Sequence, residues 1–196
     1  MAGMRTTHLL YLHGFRSSPQ SSKAQRLKAR MAALGLGDLF WCGQLPPSPR
    51  AAIALAERQI SAAATPVTVV GSSLGGYYAT HLAEKHGLRA VLVNPAVVAH
   101  LSLAEFVGTQ TNLYTGEAFE VRPEYLDELR ALEVPAISRP QDFLLLAETG
   151  DEVLDYRQAV AKYAGCRQVV LEGGDHSFTR WDAYLDAILE FAGLLP

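Results

Sequence analysis

Short apolar runs recur along the chain at residues 8–12, 39–42, 67–70, 89–93, 143–147 and 168–171. Each is rich in Leu, Val or aromatic residues and stops close to a Gly or Pro. Runs of this kind predict strands buried on both faces. Between them the apolar spacing changes to three and four. Leu27, Met31 and Leu34 form one such stripe, with Ser18 and Pro19 predicted to open the helix and Gly35 to close it. A proline-rich rigid loop over 44–49 precedes an alanine-rich helix over 51–64, with Ile53, Ala56 and Ile60 on one face. A third helix runs to about His86-Gly87. A fourth starts at the cap residue Asp155 and ends at Gly165. The last is predicted to be capped by Ser177 and to bury Phe178, Trp181, Leu185, Ile188 and Leu189. Six strands alternating with helices predict one α/β domain over 1–196, a parallel sheet covered by helices on both faces.

Residues 96–140 break this rhythm. A helical turn is expected over 102–107, a polar loop over 108–116 and a helix over 123–133 carrying Tyr125, Leu126 and Leu129. So long a connection reads as the rim of a site or a small cap over it.

Composition narrows the function classes. Hydrophobic residues are 49% and charged residues 19% of the 196, an ordinary balance for a globular chain with a sizeable core. A net charge of −3 argues against nucleic acid or an anionic membrane as partner. No apolar run approaches transmembrane length, and residues 1–5 lead straight into the first strand without a signal-peptide pattern, so the cytoplasm is the expected location. Cys42 and Cys166 lack metal-type spacing and are expected as free thiols. The histidines and carboxylates show no ligand set, so neither a metal nor another cofactor is expected.

The chemistry gathers at Gly71-Ser72-Ser73-Leu74-Gly75, where the third run meets a helical pattern with no room for a loop. Gly71-x-Ser73-x-Gly75 between strand and helix is the nucleophile-elbow pattern, which holds a serine hydroxyl clear of a sheet. A P-loop would need Gly-Lys-Ser/Thr, and a dinucleotide fingerprint would need G-x-G-x-x-G; neither is present. A serine needs a base to act as a nucleophile at neutral pH, and the base needs an acid to fix its tautomer. Asp151 and His176 follow the fifth and sixth strands in the chain order Ser, Asp, His. Ser72 is the rival serine, but the glycine register selects Ser73. Among the rival acids, Asp155 reads as a helix cap, Asp175 adjoins His176 too closely to turn onto it, and Glu148 and Glu152 are expected to be exposed. His8, His81, His86 and His100 read as solvated or helix-face residues, and His13 as a structural hydrogen-bonder. The backbone N–H groups of Phe15 and Leu74 are placed to form an oxyanion hole. Phe15, Leu45, Tyr77 and residues near 97–126 flank the strand exits and are expected to line a shallow acyl pocket.

Several blocks are more specific than the elbow. Tyr11-Leu12-His13-Gly14-Phe15 with Ser17-Ser18-Pro19, Gln44-Leu45-Pro46-Pro47, and Gly71 to Thr80 come first; Val93-Asn94-Pro95-Ala96, Thr149 to Arg157, and Glu172 to Phe178 follow. In these the chain resembles the YqiA-type (UPF0227) small bacterial esterases of the α/β-hydrolase superfamily, nearly end to end. The resemblance implies a reduced α/β-hydrolase fold: a six-stranded parallel sheet, spatial order 2-1-3-4-5-6, with a minimal cap. It implies a triad of Ser73, Asp151 and His176, oxyanion amides at Phe15 and Leu74, and a small-molecule ester as substrate. An acyl-CoA thioesterase is the alternative; a non-catalytic binder on the same scaffold is less favoured, because all three polar groups are retained. A dehalogenase would want Asp in place of Ser73.

Overall fold

The structure is a computed structural model, and it describes residues 7–196. The expected lead-in over residues 1–5 lies outside the described residues. The main sheet contains β1 (His8–Leu12), β2 (Phe40–Trp41), β3 (Val67–Ser72), β4 (Arg89–Val93), and two later strands, β7 (Phe143–Glu148) and β8 (Arg167–Leu171). All neighbours run parallel in the order β2-β1-β3-β4-β7-β8, the expected arrangement.

Alternation along each strand explains why both faces are apolar. Leu10, Leu12, Val69, Leu92, Leu145 and Ala147 enter one core; Leu9, Tyr11, Val70, Val91, Val93, Leu144 and Leu146 enter the other. The first core is closed by α2 (Pro49–Ala62), α3 (Leu74–His86) and α6 (Tyr156–Lys162). The second is closed by α1 (Ser22–Ala33) and α7 (Trp181–Ala192), which Arg30 and Asp186 tie together at 2.7 Å.

Helix starts depart from expectation where a turn intervenes. Ser18 does not cap α1: its Oγ accepts from Gln20 N at 3.0 Å, its carbonyl accepts from Ser21 N, and the helix begins at Ser22. At α2, Ser48 caps and Pro49 is the first helical residue, so part of the expected rigid loop belongs to the helix. Ser177 does not cap α7; residues 175–180 form a turn and the helix begins at Trp181. Asp155 caps α6 as expected, accepting from Arg157 N at 3.0 Å.

The irregular stretch holds α4 (Ala99–Ser102), a β-hairpin of β5 (Gly108–Thr111) and β6 (Ala118–Val121), and α5 (Glu124–Ala131). The hairpin replaces the polar loop expected there. Its turn is set by Asn112, whose Oδ1 accepts from Tyr114 N and Thr115 N, and by Gly116 at φ 73°.

Candidate active site

β3 ends at Ser72 and α3 starts at Leu74, leaving Ser73 alone in the turn at φ 56°, ψ −121°. A residue with a side chain is strained there by about 1–3 kcal/mol. Two glycines make the turn possible. A Cβ on Gly71 would stand 2.1 Å from Gly75 O, and one on Gly75 would stand 1.9 Å from Leu12 O. Strand, turn and helix therefore touch backbone to backbone. Ser73 N donates to Val93 O at 3.0 Å, which fixes the turn to β4.

The loops after β7 and β8 bring Asp151 and His176 to this serine. Ser73 Oγ lies 3.0 Å from His176 Nε2, and His176 Nδ1 lies 2.8 Å from Asp151 Oδ2. A carboxylate accepts only, so Nδ1 carries the imidazole proton and Nε2 is left to accept the Ser73 hydroxyl. The Asp151 side chain is almost fully buried. Its Oδ1 also accepts from Val153 N at 2.9 Å and Leu154 N at 2.8 Å. Burial pushes the Asp151 carboxyl up, but the bond to His176 and these two amides outweigh it and hold the pKa below its ordinary value. The carboxyl thus stays ionised where an imidazolium would form. Ser72 is buried and bonds neither His176 nor Asp151.

Two residues that sequence reasoning passed over hold the His176 loop. Asn94, met in the sequence only as part of the Val93-Asn94-Pro95-Ala96 block, sits at φ 40° with its side chain across the gap. Its Nδ2 donates to Asp175 O at 3.0 Å and His176 O at 3.2 Å, and its Oδ1 accepts from Glu148 N at 2.9 Å. Glu148 was expected at the surface, but it is 0% exposed. Its Oε2 accepts from Asp175 N at 3.0 Å and Thr179 N at 3.1 Å, so its burial is offset by two amides of the same loop. A Cβ on Gly174 would lie 2.0 Å from that oxygen, and the loop closes over Glu148 only because Gly174 lacks one. The available signal was a carboxylate ending an otherwise apolar strand run, which points inward more readily than a loop carboxylate does. Glu152 is exposed, as expected, and accepts from His176 N at 3.0 Å.

Neither Phe15 N nor Leu74 N donates a hydrogen bond to another of the described residues. The turn carrying Phe15 abuts the serine: a Cβ on Gly14 would lie 3.2 Å from Ser73 Cβ. His13 holds the far side. Its Nδ1–H donates to Gly14 O at 3.0 Å, and its Nε2 accepts from Leu45 N at 3.0 Å. Burial lowers its pKa, which suits this neutral role.

A cavity of about 220 Å³ opens beside these two amides. Phe15, Leu45, Leu74, Phe119, Val121 and Leu126 are among its apolar walls. Tyr77, expected in this pocket, does not line it: its hydroxyl donates to Leu129 O at 2.8 Å and the ring is buried. The next residue, Tyr78, lines the cavity instead. A helix turns about 100° per residue, so an error of one position exchanges pocket for core. The hairpin forms the outer wall. Phe15 packs on Phe106 and Phe119 with ring centroids 5.3 and 5.9 Å away, and Leu113 N donates to Arg16 O at 2.8 Å. Among the described residues no group of three or more His, Cys, Asp or Glu could hold a metal ion, and no helix is long and apolar enough to cross a membrane.

Comparison with known proteins shows the family and the fold of the chain. Residues 8–193 match the family described as "Uncharacterised protein family (UPF0227)". The chain belongs to the UPF0227 family. Its fold is that of the α/β hydrolases. The chain is similar to the monoacylglycerol lipase of Paleococcus ferrophilus at TM-score 0.72 and 15% identity, with 96% of each chain covered. It is also similar to the esterase domain of a Rhodothermus marinus protein, at TM-score 0.69 and 19% identity, covering 98% of this chain and 89% of that one. Est1E of Butyrivibrio proteoclasticus, solved with ferulic acid bound, matches at TM-score 0.69 and 14% identity over 97% of this chain and 89% of its own.

Proposed function

We propose that this member of UPF0227 is a serine esterase acting through an acyl-enzyme. The observation that carries the reading is the unbroken line from Ser73 Oγ through both imidazole nitrogens of His176 to Asp151, at 3.0 and 2.8 Å. His176 takes the hydroxyl proton while Ser73 attacks the ester carbonyl. The carbonyl oxygen becomes an oxyanion and is met by the Phe15 and Leu74 amides. His176 then gives its proton to the departing alcohol. Water enters and attacks the acyl carbonyl as His176 deprotonates it; the bond to Ser73 Oγ then breaks, His176 returns its proton to Oγ, and the acyl group leaves as the carboxylic acid. Asp151 keeps the imidazole in its working tautomer and stabilises its cation throughout.

The acyl group occupies the apolar cavity, since its walls begin at the oxyanion amides. This reading is tested with p-nitrophenyl esters of increasing acyl length. Wild-type protein is expected to prefer a medium chain over acetate, and Leu126→Trp, which fills the cavity, to shift the optimum toward acetate. A folded protein that cleaves none of these esters would sink the proposal. An unchanged chain-length profile in Leu126→Trp would remove the cavity from it.

A further inference from the structure

Two cavities meet at Gly14, Phe15 and Ser17, which line both. The apolar one reaches Leu74 but not His176. The second, of about 410 Å³, is lined by Ser73 and His176 together. Proton transfer decides which half of a substrate belongs in it. The departing group collects its proton from His176 Nε2 and must therefore lie beside that ring. The second cavity is thus the place of the leaving group.

Its walls differ in kind from those of the acyl cavity. Ser21, Ser22, Lys23 and Arg26 come from the start of α1. That helix has no side-chain cap and no acidic residue in its first turn, so its first amides and the positive end of its dipole are left for another group. Lys23 Nζ donates to Ser177 O at 2.6 Å, which leaves two of its three N–H donors. Arg26 uses Nε on Ser22 Oγ at 3.2 Å and Nη1 on Asp182, and Nη2 meets no acceptor among the described residues. Asp182 is the one carboxylate of the cavity wall. Burial lowers the Lys23 pKa to about 8 against the opposing pull of Asp175, Glu148 and Asp151, and none of these carboxylates lines the cavity.

We propose that this second cavity binds an oxyanion carried on the leaving group, held by Lys23 and Arg26, which line it together with Ser73 and His176. The inference rests on the esterase reading above and names its substrate class: an apolar acyl group esterified to an anionic alcohol. Lys23 and Arg26 each keep N–H donors that a neutral alkyl alcohol would leave unmet.

The test compares hexanoyl esters of glycerol 3-phosphate, of glycerate and of glycerol. These offer a phosphate, a carboxylate and no charge on otherwise matched alcohols. In wild-type protein, kcat/KM for at least one anionic ester is expected to exceed that for the glycerol ester by about tenfold or more, the size of one charge-assisted contact. Arg26→Gln and Lys23→Gln are each expected to lower that ratio by about tenfold. Damage to the shared chemistry cancels in the ratio. The larger of the two anionic ratios tells phosphate from carboxylate. A wild-type ratio near one, or a ratio that neither variant moves, overturns the anion site and leaves the esterase standing. A calorimetric titration of the Ser73→Ala protein with glycerol 3-phosphate and with glycerate reads the site without turnover. Saturable binding of either that Lys23→Gln abolishes supports the site even if no ester is cleaved, and the esterase reading then falls alone. No binding of either, beside intact ester hydrolysis, removes the anion site.

Discussion

Ser73→Ala is expected to lower kcat for ester hydrolysis by about four to six orders of magnitude, and His176→Ala to do nearly as much. The double variant is expected to be no slower than Ser73→Ala alone. The reason is that the two side chains form one device. Oγ attacks only if Nε2, 3.0 Å away, accepts its proton, and Nε2 has nothing to accept once Oγ is gone. On the proposed mechanism the residual rate is expected from the Phe15 and Leu74 amides and from substrate binding, neither of which the substitutions touch. Purified variants with unchanged circular dichroism, assayed on one ester, provide the measurement. Losses that multiply in the double variant would mean that Ser73 and His176 act separately, and the proposed mechanism would be wrong.

Glu148→Ala carries the second large effect, and it falls on stability and rate together. The carboxyl is buried and accepts from the amides of Asp175 and Thr179. Removing it leaves the part-buried Asp175 and Thr179 amides without their acceptor, at roughly 1–3 kcal/mol each. A loss of about 2–5 kcal/mol in unfolding free energy is therefore expected from urea titration. Because Asp175 immediately precedes His176, the freed loop should also misplace the imidazole and lower kcat more than it raises KM. Glu148→Gln keeps an oxygen to accept from the same amides, and most of the rate should return with it. If Glu148→Ala proves as stable and as fast as the parent, the network through Asn94 and Glu148 does not position the loop. Equal rate loss in Gln and Ala variants would likewise separate Glu148 from the placement of His176.

The contrast between Glu148 and Asp151 illustrates what sequence pattern carries. The strands were legible because both faces of the sheet are buried: every residue of β3, β4 and β7 except Arg89 is buried, and their Val and Leu runs stand out. The positions of Ser73, Asp151 and His176 at strand exits followed from glycine spacing and chain order, and the structure brings these three side chains together. The hairpin over 108–121 was not legible: its strands are four residues long, with burial alternating in β5, and Thr109-Gln110-Thr111 lacks an apolar stripe. Its docking depends instead on Phe119 meeting Phe15, a contact between residues far apart in sequence. Glu148 and Asn94 escaped for a related reason. A buried polar side chain is defined by the partners it meets, and those partners lie on other loops. The Tyr77 to Tyr78 exchange has a third cause, since periodicity specifies a helix face to no better than one residue.

The activated serine is tested most directly by weighing the intact protein after incubation with a fluorophosphonate. Ser73 held against His176 should displace fluoride and retain the phosphonyl group, giving one adduct per chain on the wild type and none on Ser73→Ala. Labelling of wild type and variant alike, or no adduct on a folded wild-type protein, would contradict a nucleophile at Ser73.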